Sequence, residues 1–147
     1  MNNRYICKAK RKDNGEWVEG YYARQSNHSC FKSSLKYQHF IYKDICLDFN
    51  LGGLEEIEVI PETVGQCTNK TDCKGKFIFS GDLLRFTDSD GEHSIYKVYY
   101  SDNYAGWAIQ KADCNGVDNM ADWEIGREYF EVIGNIHDNP ELLEVER

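Results

Sequence analysis

Leu83-Leu84-Arg85-Phe86-Thr87-Asp88-Ser89-Asp90-Gly91, followed by Ile95-Tyr96-Lys97-Val98-Tyr99-Tyr100, decides the fold class. Leu83 to Phe86 is a short apolar strand. It runs into Asp-Ser-Asp-Gly, a strong hairpin signal. Beyond the turn, Tyr96, Val98 and Tyr100 fall on one face, and Ile95, Lys97 and Tyr99 on the other. A period of two belongs to a strand. Asn103 to Gly106 then turns the chain, and Trp107-Ala108-Ile109 returns. Working outward, Phe77-Ile78-Phe79 leads into the turn Ser80-Gly81-Asp82. Lys111 to Gly126 is a polar, Asp-rich excursion. Phe130 to Ile133 is the last strand. Asp138 and Asn139 offer side-chain oxygens to cap a helix, and Pro140 suits its first position. Leu142, Leu143 and Val145 give that helix an apolar side.

The N-terminal part reads in the same way. Tyr5, Cys7 and Ala9 alternate with Ile6, Lys8 and Lys10. Asp13-Asn14-Gly15 makes a hairpin turn, because Asn and Gly accept positive φ cheaply. Trp17 to Tyr22 is the return strand, Gln25 to Ser34 a polar loop holding His28 and Cys30, and Tyr37 to Tyr42 a third strand. Gly52-Gly53 breaks the chain before Glu56 to Pro61, a short strand that ends in proline. Short strands with frequent turns predict a mainly β protein. We expect a small Src-homology-3-like barrel in the C-terminal half, an N-terminal β-hairpin extension and a short C-terminal helix. The expected division is 1–60 and 61–147, packed as one compact unit.

Composition narrows the function classes. The 147 residues carry 17 Lys+Arg against 25 Asp+Glu, a net charge of −8, and 14% aromatic residues. Disordered chains are poor in aromatics. No apolar run exceeds three residues, which excludes a membrane-spanning helix and the apolar core of a signal peptide. Met1-Asn2-Asn3-Arg4-Tyr5 has no targeting pattern, so a soluble cytoplasmic protein is expected. The six cysteines form no Cys-x-x-Cys pair, and the cytosol keeps thiols reduced. No cofactor or metal is indicated.

Catalytic signatures are lacking. His28, His39, His93 and His137 stand in no His-x-x-x-His pattern, and there is no Gly-x-Ser-x-Gly elbow or phosphate loop. Asp82 after Gly81 reads as a turn residue. Asp88-Ser89-Asp90-Gly91-Glu92 begins like a calcium loop, but Tyr99 occupies the twelfth position, where a bidentate Glu belongs. The aromatic set is the best functional feature. Tyr21-Tyr22 and Tyr99-Tyr100 are consecutive, so each pair is expected to place one ring inward and one outward. With Trp107, they are the candidate interface residues, since Tyr and Trp dominate interface hot spots. Arg4, Lys8, Lys10, Arg11 and Lys12 form a stretch without acids, a candidate basic patch or simply a solvated hairpin end.

Two stretches are more specific. One runs from Val59-Ile60-Pro61-Glu62-Thr63-Val64-Gly65-Gln66-Cys67-Thr68 through Asp72, Gly75-Lys76 and Gly81-Asp82. The other runs from Phe130 through Gly134-Asn135-Ile136-His137-Asp138-Asn139-Pro140 to Leu143. Both resemble the YopX family of phage and prophage proteins, as does the opening hairpin from Lys8 to Tyr22. Thr68-Asn69-Lys70-Thr71-Asp72 departs from the family's usual Thr-Gly-Leu-Lys-Asp. The resemblance implies a mostly β protein of the bacterial host cytoplasm and no activity, so no catalytic residue is carried over. The first expectation is a non-catalytic module that binds a host or phage protein or assembles with itself, with a homo-oligomer expected and no membrane contact. Single-stranded nucleic-acid binding is the alternative. A hydrolase with a site formed only in the tertiary structure comes third.

Overall fold

The computed structural model describes residues 3–27, 36–47 and 51–144. It is built almost wholly of antiparallel strands, in two compact units, Met1–Gln66 and Cys67–Arg147.

In the first unit β1 (Ile6–Lys10), β2 (Trp17–Asn27), β3 (Lys36–Leu47) and β4 (Leu51–Glu58) follow one another as a meander. The first turn forms where Asp-Asn-Gly foretells it. The Arg11 and Glu16 backbones pair at 2.8 Å, Asn14 Oδ1 accepts from the Glu16 N–H, and Gly15 takes φ 73°. Ala9, Val18, Ile41, Ile57 and Val59 form the buried cluster, with Cys7 and Val64 packed against it. The bridge between Arg11 and Val59 ties the end of the meander back to its start. β5 (Gly65–Thr71) starts in this unit, with Gly65 opposite Lys8 and Gln66 opposite Cys7.

In the second unit the rest of β5 pairs with β6 (Phe77–Phe79). The strands β7 (Asp82–Thr87), β8 (His93–Ser101), β9 (Gly106–Lys111), β10 (Val117–Asn119) and β11 (Phe130–Asn135) form a sheet in the order β10-β9-β8-β7-β11. Its core holds Ile78, Leu84, Val98, Ile109, Met120, Trp123 and Phe130. Much of the aromatic surplus is spent here. Phe130 lies 4.8 Å from Trp123, 5.1 Å from Phe86 and 5.6 Å from Tyr96, ring centre to ring centre. The indole N–H of Trp123 donates to the Thr71 carbonyl at 2.7 Å, so its polar edge is satisfied.

Four expectations change. The strand order is open, with β10 and β11 at its ends, so the described residues close no hydrogen-bonded barrel. The C-terminal helix is a single 3-10 turn, Pro140–Leu143. Asn139 does not cap it, because its Oδ1 reaches back to the Asn135 N–H, and Asp138 accepts from Asn135 Nδ2. Gly52-Gly53 lies inside β4 rather than before a strand, since an edge strand tolerates glycine. The Lys111–Gly126 excursion contains β10 and a one-turn helix, α1 (Trp123–Gly126), which delivers Met120 and Trp123 to the core.

The two stretches that carry the family resemblance meet in the second unit. Asp72 is buried; its Oδ1 accepts from the N–H groups of Lys74 and Lys76 at 2.9 Å, and its Oδ2 from that of Val132 at 3.0 Å. Cys73 N–H donates to the Phe130 carbonyl, and Ile136 N–H to the Gly81 carbonyl. Glu131 receives both Lys74 and Arg85. Those two cations hold its carboxyl below the ordinary carboxylate range, so this pairing stabilises at neutral pH and is lost as the pH falls through the lowered value.

Candidate protein-interaction surface

Among the described residues, no group of three His, Cys, Asp or Glu side chains converges as a metal site would require. Asp82 is buried and accepts from the Phe79 N–H at 2.8 Å, a turn-holding role. Asp88 Oδ1 accepts from the N–H groups of Asp90 and Glu92, which closes the hairpin rather than a calcium loop. His93 and Ser101 stand at opposite ends of β8. His39 bonds Tyr22, and His93 contacts Thr87 Oγ1. Cys67 is buried and its Sγ accepts from the Asn69 N–H at 3.4 Å, Cys7 is half-buried, and Cys73 and Cys114 are exposed. His28 and Cys30 lie outside the described residues.

Two of the five residues of the basic stretch form ion pairs within their own unit. Arg11 grips Asp13 with two hydrogen bonds, 2.9 and 2.8 Å, and Lys12 meets Glu58 at 2.8 Å. The partner cation lowers the pKa of each acid, Arg11 for Asp13 and Lys12 for Glu58. Lys8 and Lys10 place their ammonium groups 5.1 and 5.6 Å from the Trp17 ring centre. Arg4 bonds the hydroxyl of Tyr5 at 2.7 Å.

The candidate aromatics divide. Tyr21 and Tyr22 are 39% and 38% exposed, so both rings are open instead of one. The cause is register. β1 begins with Ile6 opposite Tyr21, and beyond that point β2 continues paired only with β3, leaving both faces of the ribbon accessible. Tyr22 stacks on His39 at 5.9 Å, with its hydroxyl 2.6 Å from Nδ1. In the second unit Tyr99 is half-buried, while Tyr100, on the core-side row after Tyr96 and Val98, is 53% exposed. That row outruns the core where the β8–β9 turn begins.

Trp107 faces Tyr100 across the β8–β9 pair, and their rings stand edge to face at 5.4 Å and 88°. Trp107 also packs against the core, so its position is fixed. Beside it lies an open groove of about 400 Å³, mostly apolar, lined by Lys70, Tyr104, Ala105, Gly106, Trp107, Asn119, Met120 and Ala121. Tyr104 stands at its edge, 50% exposed. The loop that carries Tyr104 is held by the Ala105 N–H on the Asp102 carbonyl, and the Tyr104 N–H reaches Ser101 Oγ. Ala105 adopts φ 49°, a left-handed conformation that costs a non-glycine residue roughly 1–2 kcal/mol. Ala105→Gly is therefore expected to raise stability by about 1 kcal/mol in urea unfolding; an unchanged midpoint would mean that the turn carries no strain.

Of the five candidate aromatics, Trp107 lines this groove, Tyr100 stands against its ring, and Tyr21 and Tyr22 belong to the other unit. Tyr104 belongs to the aromatic surplus of the sequence though not to the five interface candidates, and Met120 and Lys70 were not singled out.

Comparison with known proteins supports the same fold. A family model described as YopX protein matches residues 8–144. The crystal structure of protein EF1440 from Enterococcus faecalis is similar, with 21% sequence identity, a TM-score of 0.55, and coverage of 94% of this chain and 96% of that one. No curated protein matches.

Proposed function

The chain belongs to the YopX family, and from that premise we propose that it is a non-catalytic interaction module that docks a partner protein through the groove beside Trp107. The observation that carries this reading is the groove itself: an indole anchored on the core, with half-exposed Tyr104 beside it in the lining and half-exposed Tyr100 against its ring. Rigid aromatic rings bring large contact area at low entropy cost, and such residues concentrate binding energy. Against the nucleic-acid alternative, Arg11 and Lys12 are engaged by Asp13 and Glu58. A Src-homology-3-like roll of the second unit forms part of the proposal. In its sheet the first strand sits between the second and the last, the order that lets a meander curl into a small barrel. The bacterial cytoplasm, and a phage or prophage origin, are proposed on the family resemblance; no helix among the described residues is long and apolar enough to cross a membrane.

A photo-crosslinking residue in place of Tyr104 tests the docking role in bacterial cells expressing the chain. The expected result is a discrete adduct with one other polypeptide, weakened at least tenfold by Trp107→Ala, as loss of a hot spot requires. The same photo-crosslinker at exposed Tyr5 is the folded control. Identical adducts from both positions, or none from position 104, would reject the reading.

A further inference from the structure

We infer that the open edge of β4 is a docking site of its own, where a partner protein adds an extended, cationic segment as a further strand. β4 stands at the end of its sheet. The Val59 N–H donates to the His39 carbonyl at 2.9 Å, which sets the phase of the β3–β4 ladder. Pairing alternates along an antiparallel ladder. Gly53, Glu55 and Ile57 therefore turn their backbone groups to β3, and Gly52, Leu54 and Glu56 turn theirs away. Glu58 shares the outward phase, and its carbonyl accepts from the Lys12 N–H at 3.0 Å. That bond closes the edge at one end and leaves Gly52 to Glu56 open. Gly52, Leu54, Glu55 and Glu56 are exposed, and nothing lies within 4 Å of where a Cβ would stand at Gly52. A row of outward N–H and C=O groups is a template for another strand.

Charge selects the occupant. A groove of about 270 Å³ runs beside this edge, between Glu55, Glu56 and Glu58 of β4 and Arg11, Lys12 and Asp13 of the first turn. Its two cations are already engaged, Arg11 by Asp13 and Lys12 by Glu58. Among the described residues neither Glu55 nor Glu56 has a cation within ion-pair distance, Lys43 opposite Glu55 included. Glu56 accepts from the Tyr42 hydroxyl at 2.7 Å, which holds its carboxylate in place. Glu55 and Glu56 are neighbours on a strand, so they face opposite sides of the sheet. An added strand with lysine or arginine beside each gains a cross-strand pair on both sides. A second copy is the poorer occupant, because it brings the same acids and a net charge of −8.

Residue-resolved amide exchange on the full chain tests this at low salt. In the free chain the Leu54 and Glu56 amides are expected to exchange fast, and those of Glu55 and Ile57 slowly. The blocked peptide Lys-Thr-Lys-Val-Lys-Thr-Lys is expected to slow Leu54 and Glu56 at least tenfold, in a saturable way. The version with glutamate for every lysine is not. Lys-Pro-Lys-Pro-Lys-Pro-Lys keeps the charge but lacks the donors of a ladder, so it should leave both amides fast. Glu55→Gln combined with Glu56→Gln should weaken binding of the first peptide about fivefold, the worth of two cross-strand charge pairs. The inference is overturned if the first peptide leaves Leu54 and Glu56 fast, or if the glutamate or proline version acts equally. Undiminished binding to the double variant overturns it as well. So do Leu54 and Glu56 amides already slow in the free chain, since the edge is then occupied, by a second copy if the slowing grows with concentration. None of these outcomes bears on the crosslink at position 104, so the two sites stand or fall separately.

Discussion

Asp72→Ala is expected to destabilise the C-terminal unit by about 4 kcal/mol, because a buried carboxylate that accepts three backbone N–H groups leaves them unpaired when it is removed. The loss is not confined to one turn. Two of the three bonds shape the 72–76 turn, and the third holds that turn to β11 at Val132. Asp72→Asn should fall between, at about 2 kcal/mol, since its oxygen can keep the turn while its NH2 faces the Val132 N–H. Urea unfolding followed by tryptophan fluorescence measures both. If alanine costs no more than asparagine, the carboxylate does not clasp the two stretches together.

Gly20→Ala is the second large effect, expected at about 3 kcal/mol from overpacking against backbone that cannot rotate away. A Cβ at position 20 would sit 2.3 Å from the carbonyl oxygen of Tyr42 and 2.8 Å from Cγ2 of Ile41. The first neighbour belongs to the β3 main chain, so relief requires the strands to part. Amide hydrogen exchange across β2 and β3 should accelerate along with the loss of stability. Gly15→Ala provides the contrast: nothing lies within 4 Å of that position, and only its positive φ resists the change, by roughly 1 kcal/mol. Equal costs at the two positions would contradict the close approach of β3.

The sequence carried the strands well wherever alternation and turn chemistry agreed, as at Asp13-Asn14-Gly15 and Asp88-Ser89-Asp90-Gly91. It also carried the structural reading of Asp82. It failed where tertiary partners decided the outcome. Asn139 looked like a helix cap, but the close approach of Gly134 lets its side chain turn back onto β11: a Cβ at position 134 would lie 2.3 Å from Asn139 Oδ1. The exposure of Tyr21 and Tyr22 follows from where β1 begins, and a strand's boundary is the least legible part of a period-two pattern. Of the groove's lining, Trp107 and Tyr104 stood out in the sequence as surplus aromatics. Its remaining walls come from β5, the β8–β9 turn and the chain after β10, which are separated in sequence by up to about fifty residues and joined only by the fold.

The most direct measurement is a hydrogen-exchange footprint of the chain with the partner captured at position 104, compared with the free chain. The account predicts protection concentrated at 102–107 and 119–121, with the 11–16 turn and β4 unchanged. Protection centred on the Lys8–Lys10 face or on Tyr21-Tyr22, with the Trp107 groove exchanging as in the free chain, would contradict it.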